Sequence, residues 1–153
     1  MGRSGFTAIE LLIVVIIIGV ILAIGFPKMH QAVDSANVRA SRVDVTTFAA
    51  LARADAVARG CPGVIHFAYG TTSRVWVTAC PRYNVGVGTV DTVASIDNVE
   101  NRYGVSLTST SDSVQFDPRG LRTDQNTTIV RFTGNVSSTT DSVTINAVGK
   151  VVR

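Results

Sequence analysis

The chain has 153 residues, enough for one domain with a real core and too few for two comfortable ones. Its formal charge of +3 is not gathered into a patch: from Cys61 to Arg153 seven Arg and one Lys stand against six Asp and one Glu, which argues against a general nucleic-acid binder. Hydrophobic residues make up 46% and mean hydropathy is +0.30, high for a soluble protein, and the excess sits at one end.

From Leu11 to Phe26 no side chain is charged or polar. A secretory signal peptide would carry a basic start, a short apolar core and a small-x-small cleavage site after it. Here the basic part is Arg3 alone, the run is longer, and Phe26-Pro27-Lys28 follows it. A plain membrane anchor fits the length, since Phe6 to Phe26 is 21 residues and a span needs roughly 20. It leaves Glu10 unexplained, because a bare carboxylate in the bilayer costs on the order of 3 kcal/mol. A core helix so uniformly apolar could hardly be wrapped by a domain of this size.

The string Gly5-Phe6-Thr7-Ala8-Ile9-Glu10, followed by Leu11-Leu12-Ile13-Val14-Val15, resembles the class III signal of type IV prepilins. The resemblance implies cleavage between Gly5 and Phe6 by a prepilin peptidase, with methylation of the new N-terminus. Glu10 then becomes the fifth residue of the trimmed chain, where that family keeps its glutamate. The chemistry is coherent: the Glu10 carboxylate can neutralise the Phe6 ammonium of a neighbouring subunit in a low-dielectric bundle, where desolvated charges are tolerable only in pairs. Gly19 and Pro27 match positions where pilin helices are commonly weakened. Gly costs about 1 kcal/mol relative to Ala in a helix, and an interior Pro removes a hydrogen bond and kinks it.

Beyond Pro27 the helical signal continues to Arg59 without Gly or Pro. Val33, Ala36, Ala40, Val43, Phe48, Leu51, Ala54 and Val57 recur at roughly helical spacing and are expected to face the head. Arg39, Arg42, Arg53 and Arg59 alternate with Asp34, Asp44 and Asp55, the pattern of a solvated opposite face. Gly60 and Pro62 stop the helix. Val64–Tyr69 and Arg74–Ala79 then read as a β-hairpin. Later strands are expected at Tyr103–Thr108, Ser113–Phe116, Thr128–Thr133 and Ser142–Val152. Val90, Val93, Ile96 and Val99 recur every three residues, as a helical turn or as a loop with one buried side. The chain thus divides into a leader (1–5), a membrane or filament-core helix (6–27), an amphipathic helix (28–60) and a β-rich head (61–153). The fold class is α+β, a long helix laid against a β head.

A second resemblance lies in Ala50-Leu51-Ala52-Arg53-Ala54-Asp55-Ala56-Val57-Ala58-Arg59-Gly60, in Phe116-Asp117-Pro118-Arg119-Gly120 and in the closing Ile145–Arg153 stretch. These segments are similar to landmarks of the GspH/FimT family, minor pseudopilins of type II secretion and minor pilins of type IV pili. The resemblance implies a tip or initiation subunit. Its partners would be the peptidase/N-methyltransferase, other pilin or pseudopilin subunits, an inner-membrane assembly platform and, before assembly, membrane lipid. The head would lie in the periplasm of a bacterium until the chain enters a pilus or pseudopilus. The alternatives are a major pilin and a DNA-binding pilin. Some FimT-type proteins bind DNA through a C-terminal Gly-Arg-x-Arg-like element, whereas this chain ends Gly149-Lys150-Val151-Val152-Arg153. The second basic residue comes one place late, which in a strand turns its side chain to the other face. A charged edge strand is the favoured reading of Lys150 and Arg153.

Cys61 and Cys80 flank the hairpin, and in an exported head a bridge between them is favoured over two buried thiols. His30 and His66 lack catalytic companions, and Trp76 and Tyr69 are read as hairpin core or cross-strand partners rather than a ligand platform. Asp112, Asp117, Asp124 and Asn126 lack calcium-loop spacing and are read as turn residues. No cofactor, metal or enzymatic constellation is expected.

Overall fold

The computed structural model describes residues 7–70, 73–81, 89–96 and 98–152. The helix α1 (Ala8–Arg59) runs 52 residues without interruption through Gly19 and Pro27, about 78 Å at 1.5 Å per residue. Gly60 ends it in the left-handed region at φ 65°, its N–H donating to the Ala56 carbonyl. There follow β1 (Gly63–Ala68), β2 (Arg74–Ala79), β3 (Asp91–Ile96), α2 (Val99–Tyr103), β4 (Val105–Ser109), β5 (Ser113–Phe116), β6 (Thr128–Gly134), β7 (Thr140–Ile145) and β8 (Val151–Val152). They form two antiparallel sheets, ordered β3-β2-β1-β5 and β4-β6-β7-β8. The core lies where both meet the second half of α1, around Phe116, Phe132, Ile65 and Ile145. This is the α+β pilin arrangement that the sequence leads one to expect.

Three expectations change. Much of the apolar stripe read as head-facing points outward: Val33, Val43 and Val57 are each more than half exposed, while Phe48 does pack against the core. The buried face is Val38, Ser41, Val45, Ala49, Ala52 and Ala56, with Asp34 and Asp55. Small residues are required there because β1 comes very close. A Cβ added at Gly63 would overlap the carbonyl oxygen of Ala52.

The three-residue spacing at Val90–Val99 belongs to a strand followed by a helix. β3 pairs with β2 through a bulge, Val77 opposite Ala94 and Thr78 opposite Thr92. The extra residue lets Val93 as well as Ile96 reach the core. Val99 then opens α2 behind the Asn98 cap, and because Tyr103 completes that helix, β4 starts only at Val105. The third change is at the C-terminus, where the single strand expected over 142–152 is two. Asn146 accepts from the amides of Val148 and Lys150, and Gly149 at φ 79° turns the chain into β8.

Of the three carboxylates expected in solvent, Asp34 and Asp55 are buried, and Asp44 is half-buried and accepts from Tyr103. Asp34 accepts from the backbone N–H and hydroxyl of Ser137 in the β6–β7 turn, the N–H bond being 2.8 Å. The Ser137 hydroxyl, its largest influence, outweighs burial and with the backbone amides holds the carboxyl below its ordinary value of 3.8. A lowered folded-state pKa contributes stability that is present above the unfolded value and is lost as pH falls from there through the folded-state pKa. Wild-type stability is therefore expected to drop more steeply below pH 3.8 than that of Asp34→Asn. Near neutral pH the variant should lose about 2 kcal/mol. Denaturant midpoints at several pH values check both.

Candidate assembly surface

The first half of α1 is built to be covered by something else. Every large apolar side chain from Ile9 to Phe26 is exposed, from 46% at Val14 to 67% at Ile9. The helix is long and apolar enough to cross a membrane. Its beginning is a capping box. The Glu10 amide donates to the Thr7 hydroxyl oxygen at 3.3 Å, while the Glu10 carboxylate accepts from the Thr7 N–H at 3.2 Å and its hydroxyl at 3.0 Å. The Thr7-x-x-Glu10 pattern is legible in sequence, yet reading Glu10 only as a charge misses it. Glu10 therefore has local donors before any neighbour arrives. Gly5, Phe6 and Arg153 lie outside the described residues.

The exposed apolar surface does not stop at Pro27. Phe26 packs edge-on against His30 with centroids 4.7 Å apart, and Val33, Val43 and Val57 carry the outward stripe to the helix end. At that end Arg59 donates to the Cys80 carbonyl and pairs with Asp55 at 3.5 Å and Asp91 at 3.2 Å. Cys61 is joined to Cys80 with their Cα atoms 6.3 Å apart. Helix end, β2 and β3 are thereby tied at one point. Replacing both cysteines by serine is expected to cost about 3 kcal/mol by the loop-entropy argument, measurable as a lower denaturation midpoint.

Lys150 is exposed beside β8, across from Arg53 of α1. Trp76 is not in the core. It stacks on His66, its cross-strand partner, at 4.9 Å on the outer face of the first sheet, with Arg74 over its ring. His66 bonds Thr78 at 2.9 Å and burial lowers its pKa. Tyr69 donates to Asp112 at 2.8 Å. Asp117 accepts from the amides of Arg119 and Leu121, and Asp124 pairs with the buried Arg122, so these carboxylates are engaged separately. Among the described residues no three His, Cys, Asp or Glu side chains are grouped to hold a metal.

A long apolar N-terminal helix, free over half its length and laid against an antiparallel β head, defines a pilin-type subunit. Residues 43–149, more than half of the chain, match the family described as type II transport protein GspH, and the chain belongs to that family. It is also 43% identical over 65 residues to the type IV narrow pilus major component PilA5 of Thermus thermophilus, a match covering 40% of this chain and 54% of that one. The chain thus spans about half the length of this curated relative. Among solved structures it is similar to the type IV minor pilin FimU of Pseudomonas aeruginosa at a TM-score of 0.59 and 9% identity, over 77% of this chain and 88% of that one. A second crystal form of FimU gives 0.52 at 10% identity, over 80% and 90%. These likenesses are of fold.

Proposed function

We propose that this chain is a minor subunit of a type IV pilus or type II secretion pseudopilus, built into the tip or initiating complex through α1. The observation that carries the reading is the exposed apolar half of α1 with one carboxylate, Glu10, near its start. On this reading a peptidase cuts between Gly5 and Phe6 and the new N-terminus is methylated. The helix waits in the inner membrane with the head in the periplasm, and Glu10 then pairs with the Phe6 ammonium of a neighbour. Gly19 and Pro27 supply the local weakness for the transfer out of lipid. The role is structural rather than catalytic, and the partners are other pilin-type subunits and the assembly platform.

A second reading, that of a major subunit, draws on the likeness to PilA5, described as a major pilus component. Deleting the gene and quantifying the chain in sheared filaments separates the two. A minor initiating subunit is scarce in the filaments, and its deletion suppresses their number. A major subunit dominates the sheared protein.

A further inference from the structure

Between the outward flank of α1 and the edge strand β8 runs an open apolar groove. Two clefts, of about 310 and 540 Å³, meet at Val151 and together follow the helix from Arg42 to Ala58. The helix wall is Val43, Thr47, Ala50, Ala54 and Val57, all exposed and spaced as a single stripe. The other wall is β8, bonded on one side to β7 and without a partner strand on the other among the described residues.

We propose that this groove receives an extended segment of another filament subunit, added as a strand to the free edge of β8. That segment would carry apolar residues at alternate positions and carboxylates at its ends. The proposal rests on the reading of this chain as a filament subunit, which brings other chains alongside α1.

Two arguments select a strand with that chemistry. A helix lying in the groove would cover the free backbone N–H and C=O groups of β8 without pairing them, whereas an added strand satisfies them. Val143 and Val151 already line the groove against α1, so the sheet approaches this flank of the helix. The small side chains of Ala50 and Ala54 leave room for its continuation. The charge follows from the rim: Arg53 and Lys150 line the second cleft, and neither has an ion-pair partner among the described residues. A segment ending in carboxylates is complementary to them.

The test uses the full chain in detergent micelles and a labelled synthetic nonapeptide with valine at alternate positions and aspartate at both ends. Expected are saturable binding by fluorescence anisotropy, slowed amide exchange at β8, and at least tenfold weaker binding to Ala54→Arg. Lysine in place of the terminal aspartates should weaken binding several-fold. N-methylation of alternate backbone amides, with every side chain kept, should abolish it. Binding indifferent to N-methylation, unchanged exchange at β8, or no binding at roughly 1 mM peptide overturns strand addition. So does equal, Ala54-dependent binding of a helical peptide copying residues 11–26. None of these outcomes bears on Glu10-dependent assembly, which is read from filament yield.

Discussion

If the proposed function holds, Glu10→Ala is expected still to insert and to be trimmed after Gly5, yet to enter filaments on the order of a hundredfold less. The magnitude follows from leaving one member of a desolvated ion pair without its partner, about 3 kcal/mol or more, at 1.4 kcal/mol per factor of ten. The capping box complicates this variant, because alanine also removes the acceptor for the Thr7 N–H and hydroxyl, a loss of about 1 kcal/mol to the start of the helix. Glu10→Gln separates the two contributions: its side-chain oxygen still accepts from Thr7, but its charge is gone. If pairing with a neighbour's ammonium drives assembly, Gln fails nearly as badly as Ala. Filament yield of Gln close to wild type would sink the pairing and leave capping as the role of Glu10. Trimming and insertion, followed by mobility and by fractionation, serve as internal controls for both.

Gly63→Ala is expected to be strongly damaging to the head. The added methyl would overlap the carbonyl oxygen of Ala52 and crowd the Ala56 side chain. Those atoms sit on the buried face of α1, so helix and β1 have to separate. Overpacking of this kind costs about 3 kcal/mol, enough to remove much of a domain's marginal stability. Gly60→Ala offers the contrast. A methyl added there would meet nothing within 4 Å, but the backbone sits at φ 65°, so the loss is conformational alone, about 1 kcal/mol. Denaturation midpoints of both variants in the same detergent should fall in that order, and the reverse order would mean that the close approach of β1 to α1 is wrong.

The long apolar helix was legible because its information is local: the run from Leu11 to Phe26 needs no tertiary context. The β1–β2 hairpin was equally open to reading, since its side chains alternate strictly between core and surface along β1. The face of α1 was not. Two apolar stripes run along the helix, and composition favours the one with larger residues. The choice is made elsewhere: Ser137, 103 residues from Asp34, makes that carboxylate an inner residue. The glycine at 63 admits alanines but nothing larger. A residue inserted into β3 likewise turned a two-residue period into three, and no local pattern announces a bulge.

The attachments between α1 and the head have a mechanical meaning. Asp34 holds the β6–β7 turn, Arg42 meets Asp141 at 3.1 Å, Asp44 accepts from Tyr103, and Arg59 grips Asp91. They are spread along the helix rather than stacked at one end. A filament pulled along its axis would load them in parallel, as a lap joint is loaded, and the head could not be unpeeled one contact at a time. At the far end the Cys61–Cys80 bond passes the remaining tension into two strands of the first sheet at once, instead of into β1 alone.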